Sequence, residues 1–242
     1  MEFKFEAKNH SYTLDGKPLT GCTTVLGVIA KPSLIQWAAN EAVNFVRNEW
    51  KSDVIYSQEA IELILNKAKT AHRRKKEEAG QKGTDVHAVI EDIIKFAIKE
   101  DEGMIMMNTH ETPQVRNFIE WAIENKIKFL ESEKKVYSQK HWTAGTADFT
   151  CLINGRKWIG DIKTSSGIYD RTPMAQTAAY RMMLEEMGEK DFVGSVIVNI
   201  KKDGKFNKEE NVYWSEDFQE DLSLFLGALQ VYRVLQNTII KK

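Results

Sequence analysis

Asp161 and Lys163 stand two positions apart in a run of alternating apolar and polar residues that predicts a β-strand. Because side chains two apart on a strand point to the same face, both would project from one surface of a sheet. Asp148 belongs to the preceding predicted strand, and the dipeptide Asn154-Gly155 between the two strands is typical of a tight hairpin. Antiparallel pairing through this turn would bring Asp148 close to Asp161 or Lys163. The spacing therefore predicts two carboxylates and a lysine on one sheet face.

Two carboxylates and a lysine suit the hydrolysis of phosphodiester bonds. Carboxylate oxygens hold Mg²⁺ or Mn²⁺ while leaving coordination sites for water and for a phosphate oxygen. A cation held in this way lowers the pKa of its bound water and neutralises the charge that builds up on the phosphate and the leaving oxygen. A nearby lysine can orient the attacking water or stabilise the developing negative charge. An isolated Asp-x-Lys is more often a solvated pair on an exposed strand, so the residues around it decide its meaning.

Two predicted helices carry further polar pairs at a spacing of four residues. His87 and Glu91 would share one helix face, where they can add a metal ligand and a supporting carboxylate. Gln176 and Tyr180 repeat this spacing on the helix after the predicted strands, where they can contact a nucleotide or orient the lysine. A lone histidine on an amphipathic helix is usually a packing residue, so His87 depends on its neighbours for a functional interpretation.

These segments follow one another in an order that resembles a known family. The matching residues, spread over about residues 80 to 185, are Gly83-Thr84-x-x-His87-x-x-x-Glu91, Glu133, Gly145-x-x-Asp148, Asp161-x-Lys163-Thr164 and Gln176-x-x-x-Tyr180. Together they resemble the motifs of the RecB-like branch of the PD-(D/E)XK nuclease superfamily. Residues 12–37 show a weaker similarity to phage-encoded exonucleases and to the mitochondrial genome maintenance exonuclease.

The resemblance implies a role for each matching residue. The implied metal ligands are His87, Asp148, Asp161 and the backbone carbonyl of Ile162. The implied catalytic residues are Asp148, Asp161 and Lys163, the last as the catalytic lysine, with Gln176 and Tyr180 supporting substrate binding at the catalytic site. Glu91, a further candidate catalytic residue, and Glu133 match acidic positions whose role varies across the family. For Glu133 a surface charge is nearly as good an interpretation. Thr164 and Ser165, which follow the lysine, would contact DNA.

The cofactor implied by the resemblance is Mg²⁺ or Mn²⁺, as one or two ions. Several relatives carry four cysteines around an iron–sulfur cluster, whereas this chain has only Cys22 and Cys151, so no such cluster is expected. The two cysteines are far apart and form no CxxC pair, which favours a reducing compartment. The first residues lack an apolar signal core, and no apolar stretch is long enough to span a bilayer. We therefore expect a cytoplasmic protein (host cytoplasm for a phage gene) without a membrane partner.

The charge balance neither demands nor excludes DNA. Lys and Arg number 34 against 35 Asp and Glu, so a basic surface must be local. The candidate surface is the basic run that includes Arg73, Arg74, Lys75, Lys76 and Lys82. It is either a solvated helix end or a surface that follows phosphates, and the two interpretations have equal weight. Trp142, near the Gly-x-x-Asp strand, is a candidate for stacking on a base.

The elements that must position these residues change in character near residue 130. Before it, apolar residues recur at helical spacing, with Ser33 and Thr84 as predicted N-caps; after it, they alternate. Lys4–Leu19 predicts a hairpin, and Asn207–Trp214 predicts a strand late in the chain. We expect one α/β nuclease domain over residues 1–242. It would have an N-terminal hairpin and helical elaboration (1–80) and a PD-(D/E)XK restriction-endonuclease-like core, a mixed central sheet flanked by helices (81–242).

The predicted function is a metal-dependent deoxyribonuclease acting on DNA ends or single strands in phage DNA replication, recombination or repair. The exonuclease mode comes from the resemblance alone. A single-strand annealing protein or a helicase is a candidate partner. One alternative is a structure-specific or flap endonuclease with the same catalytic residues. Another is a catalytically silent DNA-binding module, against which the intact Asp148, Asp161 and Lys163 argue.

Overall fold

A computed structural model describes residues 2–106 and 110–237, with backbone only for residues 79, 81–84 and 237. The chain forms two compact units. The first, called the sheet unit, comprises Met1–Ile29 and Asp85–Lys242, and the second, called the helical unit, comprises Ala30–Thr84. The hairpin near the N-terminus therefore belongs to the same unit as the predicted catalytic segments.

The described residues form eight strands and eight helices. The strands are β1 (Phe3–Glu6), β2 (Ser11–Leu14), β3 (Lys17–Gly21), β4 (Lys128–Ser138), β5 (Thr143–Ile153), β6 (Arg156–Lys163), β7 (Phe192–Asn199) and β8 (Val212–Ser215). The helices are α1 (Cys22–Leu26), α2 (Pro32–Glu49), α3 (Gln58–Lys69), α4 (Ala71–Glu100), α5 (Pro113–Glu124), α6 (Thr172–Glu186), α7 (Lys208–Asn211) and α8 (Phe218–Asn237). None of the described helices is both long enough and apolar enough to cross a membrane.

All eight strands belong to one mixed sheet in the order β1-β2-β3-β5-β6-β7-β8, with β4 paired to β5. On one edge β5 pairs antiparallel with β4 along most of its length. On the other edge it pairs first with β3, in parallel at Thr143 and Ala144, and then with β6, antiparallel over Phe149–Ile153. Among the described pairings, Gly145–Asp148 therefore has no partner strand on this edge. This unpaired stretch of β5, called the gap, lies between the end of the β3 pairing and the start of the β6 pairing.

Helices cover both faces of this sheet, which confirms the predicted α/β class with a mixed central sheet flanked by helices. On one face, α5 and the second half of α4 bury aromatic and branched side chains, among them Phe118, Trp121 and Ile94, against Phe149. On the other face, the buried residues come from α1, α6 and α8 and include Phe225. The two apolar layers hold the central strands in place, and the predicted metal ligands and catalytic residues lie on these strands and on α4 and α6.

The sequence predicted most elements but misplaced several boundaries. The turn at Asp15-Gly16 is confirmed: both residues have positive φ, and they join β2 to β3. The cap predicted at Ser33 is wrong because α2 starts two residues earlier than this cap would require, with Pro32 as its first residue and Lys31 as N-cap. The cap predicted at Thr84 is also wrong, since α4 runs without a break from Ala71 to Glu100. The predicted strand Asn207–Trp214 begins instead with the short helix α7.

The helical unit contains α2, α3 and the first part of α4. Ser57 caps α3, where its hydroxyl accepts a hydrogen bond from the backbone N–H of Ala60 at 3.2 Å. Within the unit, Lys75 forms an ion pair with Glu41 at 2.8 Å. The described part of this unit buries little, because its only buried hydrophobic residues are Ala68 and Ala71.

Candidate metal centre

The gap along β5 opens into a pocket of about 550 Å³ within the sheet unit. Residues from α4, β4, β5 and α6 line one side of it: His87, Glu133, Gly145, Thr146, Asp148, Gln176 and Tyr180. The set includes five of the predicted site residues, His87, Glu133, Asp148, Gln176 and Tyr180, which come from four separate segments. Asp161 and Lys163 are not among the residues that line the pocket.

Asp148 and His87 are held against each other and against the backbone of β6. The Nε2 atom of His87 lies 3.1 Å from Oδ2 of Asp148 and 3.3 Å from the carbonyl oxygen of Ile162. The backbone N–H of Ile162 donates a hydrogen bond to the same Oδ2 atom at 2.7 Å. The carbonyl of Ile162 therefore lies beside the imidazole and the carboxylate, where the resemblance places a backbone ligand.

Glu133 joins this group from β4. One ligand atom each from His87, Glu133 and Asp148 lies within 4.8 Å of the others, a spacing that suits a shared metal ion. The register places Glu133 opposite Asp148, between the pairs Ser132–Phe149 and Lys134–Ala147. Glu133 also has a φ of 53°, a left-handed conformation that is costly for a residue with a side chain. Strained backbone in a strand is often retained at functional positions, which favours a site role over a surface charge for Glu133.

The backbone of β5 is also irregular at this point. Ala147 packs among residues of α6, whereas Phe149, two residues later, packs among residues of α5 on the opposite face. Regular alternation would put both side chains on one face. The change of face occurs at Asp148. Both β4, at Glu133, and β5, at Asp148, therefore depart from regular strand geometry where these two carboxylates lie opposite each other.

Asp161 and Lys163 form a buried ion pair. The Nζ atom of Lys163 lies 2.5 Å from Oδ2 of Asp161, whose side chain is only 1% exposed. Apart from this ion pair, no described residue donates a hydrogen bond to either carboxylate oxygen of Asp161. Lys163 thus satisfies Oδ2, whereas Oδ1 has no partner among the described residues. Buried carboxylate oxygens are normally satisfied, so Oδ1 is available to a ligand.

Residues of α6 hold Lys163 from the other side. Lys163 donates to Oε1 of Gln176 at 3.4 Å, and Nε2 of Gln176 donates to the hydroxyl of Tyr180 at 2.7 Å. Tyr180 lies against Gly145, where an added Cβ would come within 2.3 Å of its ring. The glycine of the Gly-x-x-Asp segment is thus explained by the close approach of α6 to β5.

The two buried aspartates have pKa values shifted in opposite directions. Burial raises the pKa of Asp161 to about 6; Lys163 opposes this shift and Asp148 adds to it. Burial also acts on Asp148, but the hydrogen bond and charge of His87 outweigh it and lower the pKa of Asp148. For Lys163, burial favours the neutral form, yet the charges of Asp161 and Asp148 outweigh it and raise the pKa. Lys163 therefore stays a cation and a proton donor.

His87 is charged by the same neighbours. Burial disfavours its imidazolium form, but the hydrogen bond and charge of Asp148 raise the pKa of His87 to about 9. The protonated imidazole of His87 and the ammonium group of Lys163 thus compensate the charge of the clustered carboxylates. A divalent cation would take over this compensation and leave the imidazole neutral.

Three other predicted residues make their described contacts outside this group. Glu91 is one turn further along α4, where its carboxylate forms an ion pair with Lys95. Trp142 precedes β5 by one residue, roughly 20 Å along the strand from Asp148, and its indole N–H donates to the carbonyl of Pro18 at 2.9 Å. Ser165 follows Thr164 in the loop after β6, and its backbone N–H donates to Asn199. The structure thus gives Glu91, Trp142 and Ser165 partners of their own.

The basic run lies in the helical unit, on α4. Arg74 donates to the hydroxyl of Thr70 at 2.9 Å, and Lys75 pairs with Glu41. No described residue forms an ion pair or hydrogen bond with the side chains of Arg73 or Lys76, which are exposed. The side chain of Lys82 lies outside the described residues.

The opposite wall of the pocket was not predicted. It is formed by residues of the N-terminal hairpin and α1, with one from α8: His10, Ser11, Tyr12, Leu19, Thr20, Gly21, Cys22, Thr23, Thr24 and Tyr232. The Tyr12 hydroxyl lies 2.9 Å from Oγ1 of Thr146 and 3.1 Å from Nε2 of His10. The weak family similarity over residues 12–37 was the one available signal for this wall, since no local motif marks it.

Comparisons with known proteins assign no family to this chain. No family model matches it. A segment of 107 residues, 44% of the chain, is 33% identical to a human protein described as "Highly divergent homeobox". The chain spans about 13% of the length of that protein, so the match covers too little of it to show a family.

Proposed function

We propose that this chain is a metal-dependent deoxyribonuclease with a PD-(D/E)XK core, which hydrolyses DNA phosphodiester bonds. The observation that carries the proposal is the convergence of His87, Glu133 and Asp148 on one point beside the carbonyl of Ile162. Oδ1 of buried Asp161, which has no partner among the described residues, supports it, because a cation would satisfy this oxygen. The order of motifs in the sequence supports the same function independently.

In this proposal the carboxylates and the imidazole hold Mg²⁺ or Mn²⁺. The bound ion would supply an activated water and neutralise charge on the phosphate. Carboxylate and carbonyl oxygens favour these hard cations, whereas the single imidazole would also suit Zn²⁺ or Fe²⁺. Because Lys163 remains protonated, it donates a hydrogen bond to the oxygen on which negative charge develops. Gln176 keeps the ammonium group in place, and Tyr180 keeps Gln176 in place.

Attack on DNA ends or single strands, in phage replication, recombination or repair, is the mode that the resemblance favours. A single-strand annealing protein or a helicase would be the corresponding partner. The rival is a structure-specific endonuclease, which would use the same residues. Cleavage assays on linear, circular and end-blocked DNA distinguish the exonuclease from the endonuclease, because an exonuclease leaves closed circles intact.

The nuclease proposal is tested with Asp161→Asn and Lys163→Ala, each assayed on linear DNA with Mg²⁺ or Mn²⁺. We expect the cleavage rate to fall at least about a hundredfold in both, with unchanged circular dichroism. Asp92→Asn, an exposed carboxylate on α4, is the matched control and should cleave normally. Cleavage by either site variant at the wild-type rate would contradict the proposal.

Metal binding is tested separately from cleavage. Calorimetric titration of the EDTA-treated protein with Mg²⁺, Mn²⁺ and Zn²⁺ should detect at least one ion, and Asp148→Asn should weaken its binding. Glu133→Gln should do the same if Glu133 is a ligand. Equal affinity in wild type and both variants would show that the ion binds elsewhere.

A DNA contact by the basic run has its own test. Arg73→Gln with Lys76→Gln removes two unpaired charges, so the slope of log affinity against log salt should become smaller by up to about two. Lys75→Gln is the control, because Lys75 is already paired with Glu41. An unchanged slope in the double variant would mean that this run is only a solvated helix face.

A further inference from the structure

The loop between β6 and α6, residues 164–171, is tethered at both ends to elements that carry the candidate site. At its start, the N–H of Ile200 donates to the carbonyl of Lys163 at 2.7 Å. The next tether is Asn199, fully buried on β7, whose Oδ1 atom accepts from the N–H of Ser165 at 3.2 Å. At its end, Asp170 accepts from the N–H of Thr172 at 2.8 Å, at the start of α6. The loop is therefore a fixed connection between Lys163 and the helix of Gln176.

This loop holds one large aromatic side chain in the solvent. Tyr169 is 76% exposed, so most of its ring surface is free to contact a ligand. Its hydroxyl lies 3.2 Å from Oγ of Ser166. Its ring lies against Gly167, where an added Cβ would come within 2.9 Å of the ring carbon Cζ. Gly167 and Ser166 thus hold the ring in a defined position while most of its surface remains uncovered.

We propose that Tyr169 stacks on an unpaired nucleobase of the strand that is cleaved, so that the substrate is single-stranded next to the scissile bond. This inference rests on the proposed nuclease function. A tyrosine ring offers a flat face that stacks on any base, whereas a base inside a duplex has both faces covered by its neighbours. The loop joins Lys163 to α6, which carries Gln176, so both of its ends are fixed by elements of the candidate site and its ring is offered to a strand bound there.

The position of Tyr169 also separates it from the catalytic groups. It touches neither the carboxylates nor Lys163 in any described contact, so its loss should act on substrate binding. We expect KM to rise and kcat to change little in Tyr169→Ala. Variants of Asp161 should show the reverse pattern, with kcat lost.

The test measures binding of a single-stranded oligonucleotide carrying 2-aminopurine, with Ca²⁺ replacing Mg²⁺ to suppress cleavage. Tyr169→Ala should bind about tenfold more weakly, which is about 1.4 kcal/mol, and should lose the fluorescence quenching that stacking produces. Tyr169→Phe keeps the ring and should bind within about twofold of wild type, since stacking does not need the hydroxyl. Phe96→Ala, which removes an exposed aromatic side chain from α4, should behave as wild type.

An abasic scan locates the stacked base. One abasic position should weaken wild-type binding about tenfold and leave Tyr169→Ala binding unchanged, because the two changes remove the same contact. Wild-type affinity in Tyr169→Ala, or an equal loss on blunt duplex and single strand, would overturn the inference. Wild type that neither binds nor cleaves any DNA would instead refute the nuclease function itself.

Discussion

The sheet unit and the helical unit belong to one chain, but different forces stabilise them. In the sheet unit the 12-residue helix α5 buries five side chains, whereas the 18-residue helix α2 of the helical unit buries none. All three buried apolar clusters of the described residues lie in the sheet unit. The helical unit depends instead on caps, ion pairs and helix propensity. The candidate site thus lies in the part of the molecule with a close-packed core, which keeps its side chains in fixed positions.

The largest expected difference between the two units is in the free energy of unfolding lost when a large side chain is removed. Phe118→Ala empties a fully buried position of α5 and should reduce the free energy of unfolding by about 3–5 kcal/mol. Ile55→Ala, at a fully exposed position of the helical unit, should change it by less than about 0.5 kcal/mol. Urea unfolding monitored by tryptophan fluorescence measures both values. Equal losses would mean that the helical unit has a core of its own.

Glycine to alanine substitutions should have opposite signs in the two units. At Gly160 an added Cβ would come within 1.9 Å of the Phe149 ring, so Gly160→Ala should destabilise by about 1–3 kcal/mol. At Gly80, within α4, an added Cβ meets nothing within 4 Å. Gly80→Ala should therefore stabilise by about 0.5–1 kcal/mol through its higher helix propensity. Thermal unfolding of both variants gives the signs, and a stabilising Gly160→Ala would contradict the packing described for β6.

Loss of the N-cap hydrogen bond of α3 should speed up amide hydrogen exchange mainly within the helical unit. Ser57→Ala removes the hydrogen bond to the N–H of Ala60 and should cost about 1 kcal/mol, expressed as fraying of α3. Amide hydrogen exchange can localise the loss to residues 58–69. Ser57→Asn is the control, because asparagine also caps helices. Faster exchange of β5 to a similar extent would show that the units do not open separately.

The smallest expected effect concerns pH and a charge cluster of the sheet unit. Burial opposes ionisation of Glu189, but hydrogen bonds from Lys157 and Lys134 outweigh it and lower its pKa. Since the folded pKa lies below the unfolded value, the stabilisation is present at neutral pH and disappears as pH falls below about 4.5 through the folded pKa. Glu189→Gln should cost at most about 1 kcal/mol at pH 7 and progressively less as pH falls through the folded pKa. A cost that does not decrease with falling pH would assign the effect to packing.

The residues of the site were predictable because local rules place them. Alternation puts Asp161 and Lys163 on one face of β6, and a spacing of four puts Gln176 and Tyr180 on one face of α6. The irregular backbone at Glu133 was not predictable, since no sequence pattern marks a non-glycine residue with positive φ. The hairpin wall of the pocket was missed for another reason: it depends on a pairing between β3 and β5, which are far apart in sequence.

The boundaries of α4 show the limit of hydrophobic periodicity. Residues 73–78 are all charged, so they carry no apolar period and appeared to end one helix before another began. Arg, Lys and Glu nevertheless favour helices by intrinsic propensity. In the structure they form the first part of one 30-residue helix, through Gly80 and Thr84. Propensity decides the backbone here because few side chains in this region are buried.

The parallel pairing of Thr20 with Thr143 also constrains how the protein is made. On the order of 120 residues separate the two partners, and at 5–20 residues per second a ribosome needs about 6 to 25 seconds to add them. During this interval β2 and β3 have no β5 to dock on, and an isolated hairpin is only marginally stable. Its apolar residues Tyr12, Leu14 and Leu19, which later pack with Ala144, stay accessible to chaperones. The wall of the pocket thus emerges early in synthesis and reaches its final place late.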